Sequence, residues 1–158
     1  MGNLPDNKLL LTKASRFCAY RDRCHQEVRK KLLDLGASSD QSEEVLAELI
    51  GLGFVNEERF AQLYASGKFR QKRWGRNRII FELRKRGLTE YCIEQGLKEI
   101  SDTDYLSTLE FLIAKKRKTL APGKQAVIDQ KIGNYCIQKG YEPDLVWQLV
   151  KKEDKASR

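Results

Sequence analysis

The 158-residue chain predicts an all-α protein built as three tandem three-helix repeats in an elongated, curved array. Three observations carry that expectation. VRKKLLDLG (Val28 to Gly36), IIFELRKRG (Ile79 to Gly87) and IGNYCIQKG (Ile132 to Gly140) recur with closing glycines 51 and 53 residues apart, and self-similarity at a period of about 20 to 50 residues is the mark of a repeat architecture. The apolar register after the second and third glycines is the same: Leu88, Cys92, Ile93 and Leu97 in one, Tyr141, Leu145, Val146 and Val150 in the other. No segment alternates with period two between hairpin turns, so little or no strand is expected.

The first repeat, residues 1–56, opens with a helix from about Leu9 to Asp22 that lines Leu10, Ala14, Phe17 and Cys18 along one face. A second amphipathic helix ends at Gly36, where a left-handed residue suits a helix C-terminus. The third follows the cap-rich run Ser38-Ser39-Asp40-Gln41-Ser42, with Glu43 and Glu44 in the first turn and Val45, Leu46 and Leu49 inside. The second repeat, 57–100, starts after Asn56, a good N-cap for a helix beginning Glu57-Glu58 and continuing through Phe60, Ala61 and Tyr64. Trp74-Gly75 interrupts the chain before the next helix, which Gly87 closes. The third repeat, 101–152, begins near Ser101 to Asp104, carries Tyr105, Leu109, Leu112 and Ile113, and runs into Lys115-Lys116-Arg117-Lys118 before Pro122-Gly123 breaks it. Residues 153–158 are expected to form a disordered tail. A repeat of about 50 residues buries too little surface to stand securely alone, so neighbouring repeats are expected to share apolar faces.

Composition narrows the function classes. A charged fraction of 33%, a pI near 9.4 and three prolines point to a soluble, helix-rich chain. No apolar run approaches the roughly 20 residues needed to span a bilayer, and MGNLPDNKLLLTK lacks a signal-peptide core, so a cytoplasmic location without membrane contact is expected. Cys18, Cys24, Cys92 and Cys136 lack CxxC or zinc-finger spacing, which argues against a disulfide framework and a metal site. A single histidine, His25, read as a surface residue, leaves no Ser/His/Asp or Cys/His constellation, and no phosphate-loop pattern is present. We therefore expect neither cofactor nor catalytic residues.

Charge is concentrated. Lys68 to Gly87 holds nine Lys or Arg residues against one carboxylate, Glu82, so its net charge of +8 equals that of the whole protein. Residues 32–58 carry seven carboxylates and no Lys or Arg. That polarity suggests a cationic binding face together with salt bridging between repeats. The expected central contacts are Arg70, Lys72, Arg73, Arg76 and Arg78, flanked by Arg84, Lys85 and Arg86, with Arg21, Arg23, Arg29 and Lys30 on the first repeat. Trp74 is expected to pack between helices, with stacking on a base or wedging against a partner as its functional alternative.

Laid out in this way, the chain resembles the RecX family, bacterial regulators of the RecA recombinase. The residues that carry the resemblance are Arg21-Asp22-Arg23-Cys24 followed by Glu27 and Leu32, the stretch Gly53-Phe54-Val55-Asn56-Glu57-Glu58-Arg59-Phe60-Ala61, and Gly75, Arg78-Ile79, Glu82-Leu83 and Lys85-Arg86-Gly87-Leu88. It covers residues 14–100 well and 101–150 by pattern. Cys24 stands where a Ser is commoner, which removes the best cap oxygen from the following helix. The third repeat is less basic on its central helix than the second.

The resemblance implies a non-enzymatic monomer that lies along the groove of the RecA nucleoprotein filament and dampens its recombinase, ATPase and coprotease activities. A ligand spanning several subunits gains affinity through effective concentration, and a basic face adds a salt-sensitive contribution from protein carboxylates or DNA phosphates. Weak, salt-sensitive contact with single- or double-stranded DNA is part of that expectation. The competing reading makes each unit a helix-turn-helix-like module that reads duplex DNA with Arg76 to Arg86.

Overall fold

A computed structural model describes residues 3–156, and all regular secondary structure among them is helical. Helices α1 (Asn7–Tyr20), α2 (His25–Asp34) and α3 (Ser39–Gly51) form the first repeat. Helices α4 (Glu57–Lys72), α5 (Arg76–Lys85) and α6 (Glu90–Leu97) form the second, and α7 (Asp102–Thr119), α8 (Gln125–Gln138) and α9 (Pro143–Ala156) the third. Gly36, Gly87 and Gly140 all have positive φ, at 97°, 79° and 107°, as the repeat's closing glycines require. The tail expected from residue 153 is a continuation of α9 as far as Ala156. Asp154 Oδ1 lies 2.9 Å from Arg117 Nη1 and accepts from Gln125 Nε2 at 2.8 Å, which ties that last turn to α7 and α8. Ser157 and Arg158 lie outside the described residues.

The surface area of 9980 Å² shows that the repeats do not collapse into one ball. A compact monomer of 18.3 kDa exposes about 8,100 Å². The interior is correspondingly divided. Leu10, Ala14, Val28, Leu32, Val45, Leu46 and Leu49 enclose a core belonging to the first repeat alone. A second core is continuous through repeats two and three, and Cys24, from the α1–α2 turn, inserts into it. Apolar faces are thus shared as expected between the second and third repeats, whereas the first meets the second mainly through polar groups. The shared core has an aromatic seam, with Phe69 and Tyr105 centroids 6.0 Å apart and Tyr105 and Tyr141 centroids 5.0 Å apart. Such ring pairs add to the free energy of simple area burial. Within the second repeat α4 and α6 touch at Gly96, where a Cβ would stand 2.7 Å from the carbonyl oxygen of Ala61.

The caps explain how neighbouring repeats recognise each other. Five helices satisfy their first turn locally: Asp6, Ser38, Asn56, Thr89 and Ser101 each accept a hydrogen bond from a backbone N–H of the helix that follows. The second helix of the first two repeats draws cap partners from the next repeat, α2 in addition to its own Glu27, which accepts from the Cys24 N–H at 3.4 Å. Cys24 offers no cap oxygen to α2, but the His25 N–H donates to the Glu57 carboxylate at 3.1 Å. Gly75 offers none to α5, but the Arg76 N–H donates to the Tyr105 hydroxyl at 2.9 Å and the Asn77 N–H to the Gly140 carbonyl at 2.9 Å. The orphan donors of a helix N-terminus therefore serve as the joint.

The joint between the second and third repeats is the tighter of the two. The Gly75 N–H donates to the Lys139 carbonyl at 2.8 Å, and a Cβ on Gly75 would stand 2.3 Å from the Gly140 backbone. At the equivalent place between the first two repeats, a Cβ on Gly87 would meet only the Gln26 side-chain amide, at 3.2 Å.

Candidate partner-binding surface

The cationic stretch does not form one helix. Lys68, Arg70 and Lys72 finish α4, Arg73 caps it in a left-handed conformation with φ 54°, and Arg76 starts α5. Non-glycine residues adopt such a φ at a cost of about 1 kcal/mol, so the turn is held by its surroundings. The Tyr141 hydroxyl donates to the Arg73 carbonyl at 3.0 Å, and the Lys139 ammonium donates to the Lys72 carbonyl at 2.8 Å. The third repeat thereby props up the second repeat's basic turn.

The expected contact residues separate into two groups. Arg76 is committed to the interior of the joint. Its guanidinium lies 2.7 Å from Asp102 and 3.1 Å from Glu142 and sits 3.8 Å from the Tyr105 ring centroid. Glu142 also accepts a short hydrogen bond from the Tyr105 hydroxyl, and burial followed by that carboxylate raises the phenol's pKa. Arg86 pairs with Glu82 at 3.0 Å and covers the Tyr64 ring, while Arg84 forms two bonds to Glu90, at 2.7 and 3.1 Å. The Arg84 hydrogen bonds hold the Glu90 carboxyl below the usual range.

On the first repeat, Arg23 is buried against the Phe17 ring with its Nε donating to the Phe17 carbonyl, so it offers no surface to a partner. Arg21 lies 3.5 Å from Glu27, and Arg29 pairs with Glu43 at 2.7 Å. Only Lys30, among the four cations expected there, is exposed with no carboxylate within ion-pair distance.

The second group presents charge outward. Arg70, Lys72, Arg73, Arg78 and Lys85 are exposed, and none has a carboxylate within ion-pair distance among the described residues. Arg70 bonds only along its own helix, to the Ser66 carbonyl and hydroxyl at 3.3 Å. Arg78 lies 4.3 Å from the centroid of the half-buried Trp74, whose other neighbours are Lys68 at 5.2 Å and the Tyr64 ring at 6.4 Å. Trp74 is thus a packing residue that carries cations. Arg73 lies 4.8 Å from the centroid of the exposed Phe111, and Lys115 approaches the same ring at 5.8 Å.

Lys115 and Lys139 were not singled out by sequence reasoning. Burial, and then Arg78, Arg73, Lys115 and Lys72, lower the pKa of Lys139. His25 also differs from its reading as a surface residue: its Nδ1 stands 3.2 Å from Glu57, in the joint between the first two repeats. The fold is that of a helical-repeat protein, and the chemistry its cationic cluster offers at the joint is electrostatic attraction of anionic groups.

Comparison with known proteins names the family. The RecX first three-helix domain matches residues 11–49 and the RecX second three-helix domain residues 56–97, together more than half of the chain. The chain belongs to the RecX family. "Regulatory protein RecX" of Listeria welshimeri is 30% identical over 135 residues, which cover 85% of this chain and 50% of the relative. The protein of the same name from Amycolatopsis mediterranei is 25% identical over 145 residues, covering 89% of this chain and 83% of the relative. This chain therefore spans about half the length of its Listeria relatives. The crystal structure of RecX from Lactobacillus salivarius superposes with a TM-score of 0.85 at 22% identity, covering 94% of this chain and 96% of that one, a likeness of fold. No helix among the described residues is long and apolar enough to cross a membrane.

Proposed function

We propose that this chain binds the RecA nucleoprotein filament and inhibits its recombinase, ATPase and coprotease activities in DNA repair and recombination, acting in the cytoplasm as a monomer without catalysis of its own. Family membership supports the regulatory role, since the matching relatives carry the name of a regulatory protein. One observation carries the proposed mode of binding: Arg70, Lys72, Arg73 and Arg78 are exposed at and beside a turn held by Lys139 and Tyr141 of the third repeat and have no carboxylate within ion-pair distance among the described residues. An extended array presenting that turn is suited to lie against an anionic polymer, where many modest contacts sum. Arg76 ties the second repeat to the third, and Arg84 and Arg86 are paired with carboxylates within the second repeat rather than offered to a partner. That division disfavours the duplex-reading alternative, because of Arg76, Arg78, Arg84 and Arg86 only Arg78 is without a carboxylate partner among the described residues, which leaves one free guanidinium along the length expected to enter a groove.

The test is RecA ATPase on single-stranded DNA, titrated with this protein at two salt concentrations. Inhibition that saturates and weakens as salt rises is expected. An ATPase rate unchanged at saturating protein overturns the proposal.

A further inference from the structure

We propose that the joint between the second and third repeats binds the phosphodiester backbone of single-stranded nucleic acid through Lys72, Arg73, Arg78, Lys115 and Lys139, with Phe111 as the platform for one base. The protein contains its own comparison. Both inter-repeat joints are built alike, with a second helix capped by the following repeat, yet their charges differ. At the first joint the arginines at the seam have carboxylates, Arg59 with Asp22, Arg86 with Glu82, and Arg21 and Arg23 with Glu27, and its two unpaired lysines, Lys30 and Lys85, share their hollow with Glu27 and Glu82. At the second, five cations from α4, its capping residue, α5, α7 and the capping residue of α8 converge, and none has a carboxylate within ion-pair distance among the described residues. Holding a joint together does not require this arrangement, since the first joint manages without it.

The convergence is fixed by geometry. Lys139 is anchored to the carbonyl of Lys72, Arg73 and Lys115 share the Phe111 ring, and Arg78 packs so closely on Gly140 that a Cβ added there would stand 2.5 Å from the Arg78 Cβ. Like charges gathered in this way repel one another, adding to burial in lowering the pKa of Lys139, and a polyanion relieves the repulsion. Phe111 decides the class of polyanion. An exposed ring flanked by an arginine and a lysine, with Ser107 and Thr108 in the same hollow, matches the combination of stacking platform and phosphate contacts used for single strands. A duplex keeps its base faces stacked and hidden from such a ring.

The proposal stands on the joint's geometry and is tested without recombinase, so its fate is independent of the function proposed above. Binding of a labelled short oligothymidylate to the full chain is followed by fluorescence anisotropy over a range of salt. The Lys115→Ala/Lys139→Ala variant is expected to flatten the slope of log K against log salt by about 1.4, that is, about 0.7 for each phosphate contact on a single strand. Lys115→Ala alone, at an exposed position, is expected to flatten it by about 0.7 even if loss of the Lys139–Lys72 bond perturbs folding. Lys8→Ala/Lys13→Ala, which removes the same charge from exposed sites on α1, leaves the slope unchanged. Phe111→Ala weakens binding by about 5- to 150-fold at fixed salt. Absence of binding by the unmodified chain, equal loss from the α1 and joint variants, or a duplex bound as tightly as the oligothymidylate would overturn the assignment.

Discussion

Gly75 and Gly140 meet backbone to backbone, and no other residue fits at Gly75, because an added methyl would overlap the Gly140 carbonyl carbon at 2.3 Å. Gly75→Ala is expected to destabilise the protein by about 2–4 kcal/mol in urea unfolding, at the costly end for one added methyl because the obstacle is main chain. Gly67, inside α4 with nothing within 4 Å of its absent side chain, supplies the opposite case: Gly67→Ala should stabilise by about 0.5–1 kcal/mol. The cysteines give a pH-dependent readout. Burial pushes Cys24 and Cys136 up to about 11, so both remain thiols at pH 8 and should react slowly with a disulfide reagent in the folded protein, while the half-buried Cys92 reacts first. Rapid modification of all four in folded protein would contradict this burial. The glycine caps were legible in the sequence because a left-handed helix end demands a specific residue type. The left-handed Arg73 was not, since its conformation comes from Tyr141 and Lys139 of another repeat.

At the scale of elements, the α4–α5 turn and the start of α7 are fastened by one polar cluster in which Tyr105 donates to Glu142 and accepts from the Arg76 N–H. Tyr105→Phe leaves both groups without that partner in a half-buried setting, and the expected cost is about 1–3 kcal/mol, read from the denaturation midpoint. An unchanged midpoint would show that the second helix does not depend on its borrowed cap. The helices themselves were legible from apolar spacing and from Ser, Thr, Asn and Asp caps. Arg76 shows where that legibility ends, because Glu142 lies 66 residues away and nothing local announces the pair. The same limit applies to Lys115 and Lys139. The first reads as part of a basic run at the end of α7, and the second precedes a helix-closing glycine. Only the folded joint sets them beside Lys72, Arg73 and Arg78.

The whole molecule consists of two bodies of unequal cohesion: a first repeat with its own core, and a second-and-third-repeat unit with a continuous aromatic seam. Native-state hydrogen exchange is expected to show amides of α4, α5, α7 and α8 opening as one cooperative set, and those of α1 to α3 opening separately at lower free energy. A single opening energy across all the helices would contradict the division. The repeat order and the basic character of the second repeat were visible in the chain. The division was not, because it depends on which seam carries apolar side chains and which carries ion pairs.

The central claim is that the exposed, unpaired cations of the α4–α5 turn, and not the carboxylate-paired ones, engage the recombinase filament. It is tested most directly by measuring inhibition of RecA ATPase on single-stranded DNA by Arg73→Glu/Arg78→Glu beside Arg84→Glu. We predict that the double variant, with helicity unchanged by circular dichroism, loses at least about tenfold in inhibitory potency, equivalent to about 1.4 kcal/mol, while Arg84→Glu stays close to the unmodified protein. Equal potency of all three proteins would contradict the account.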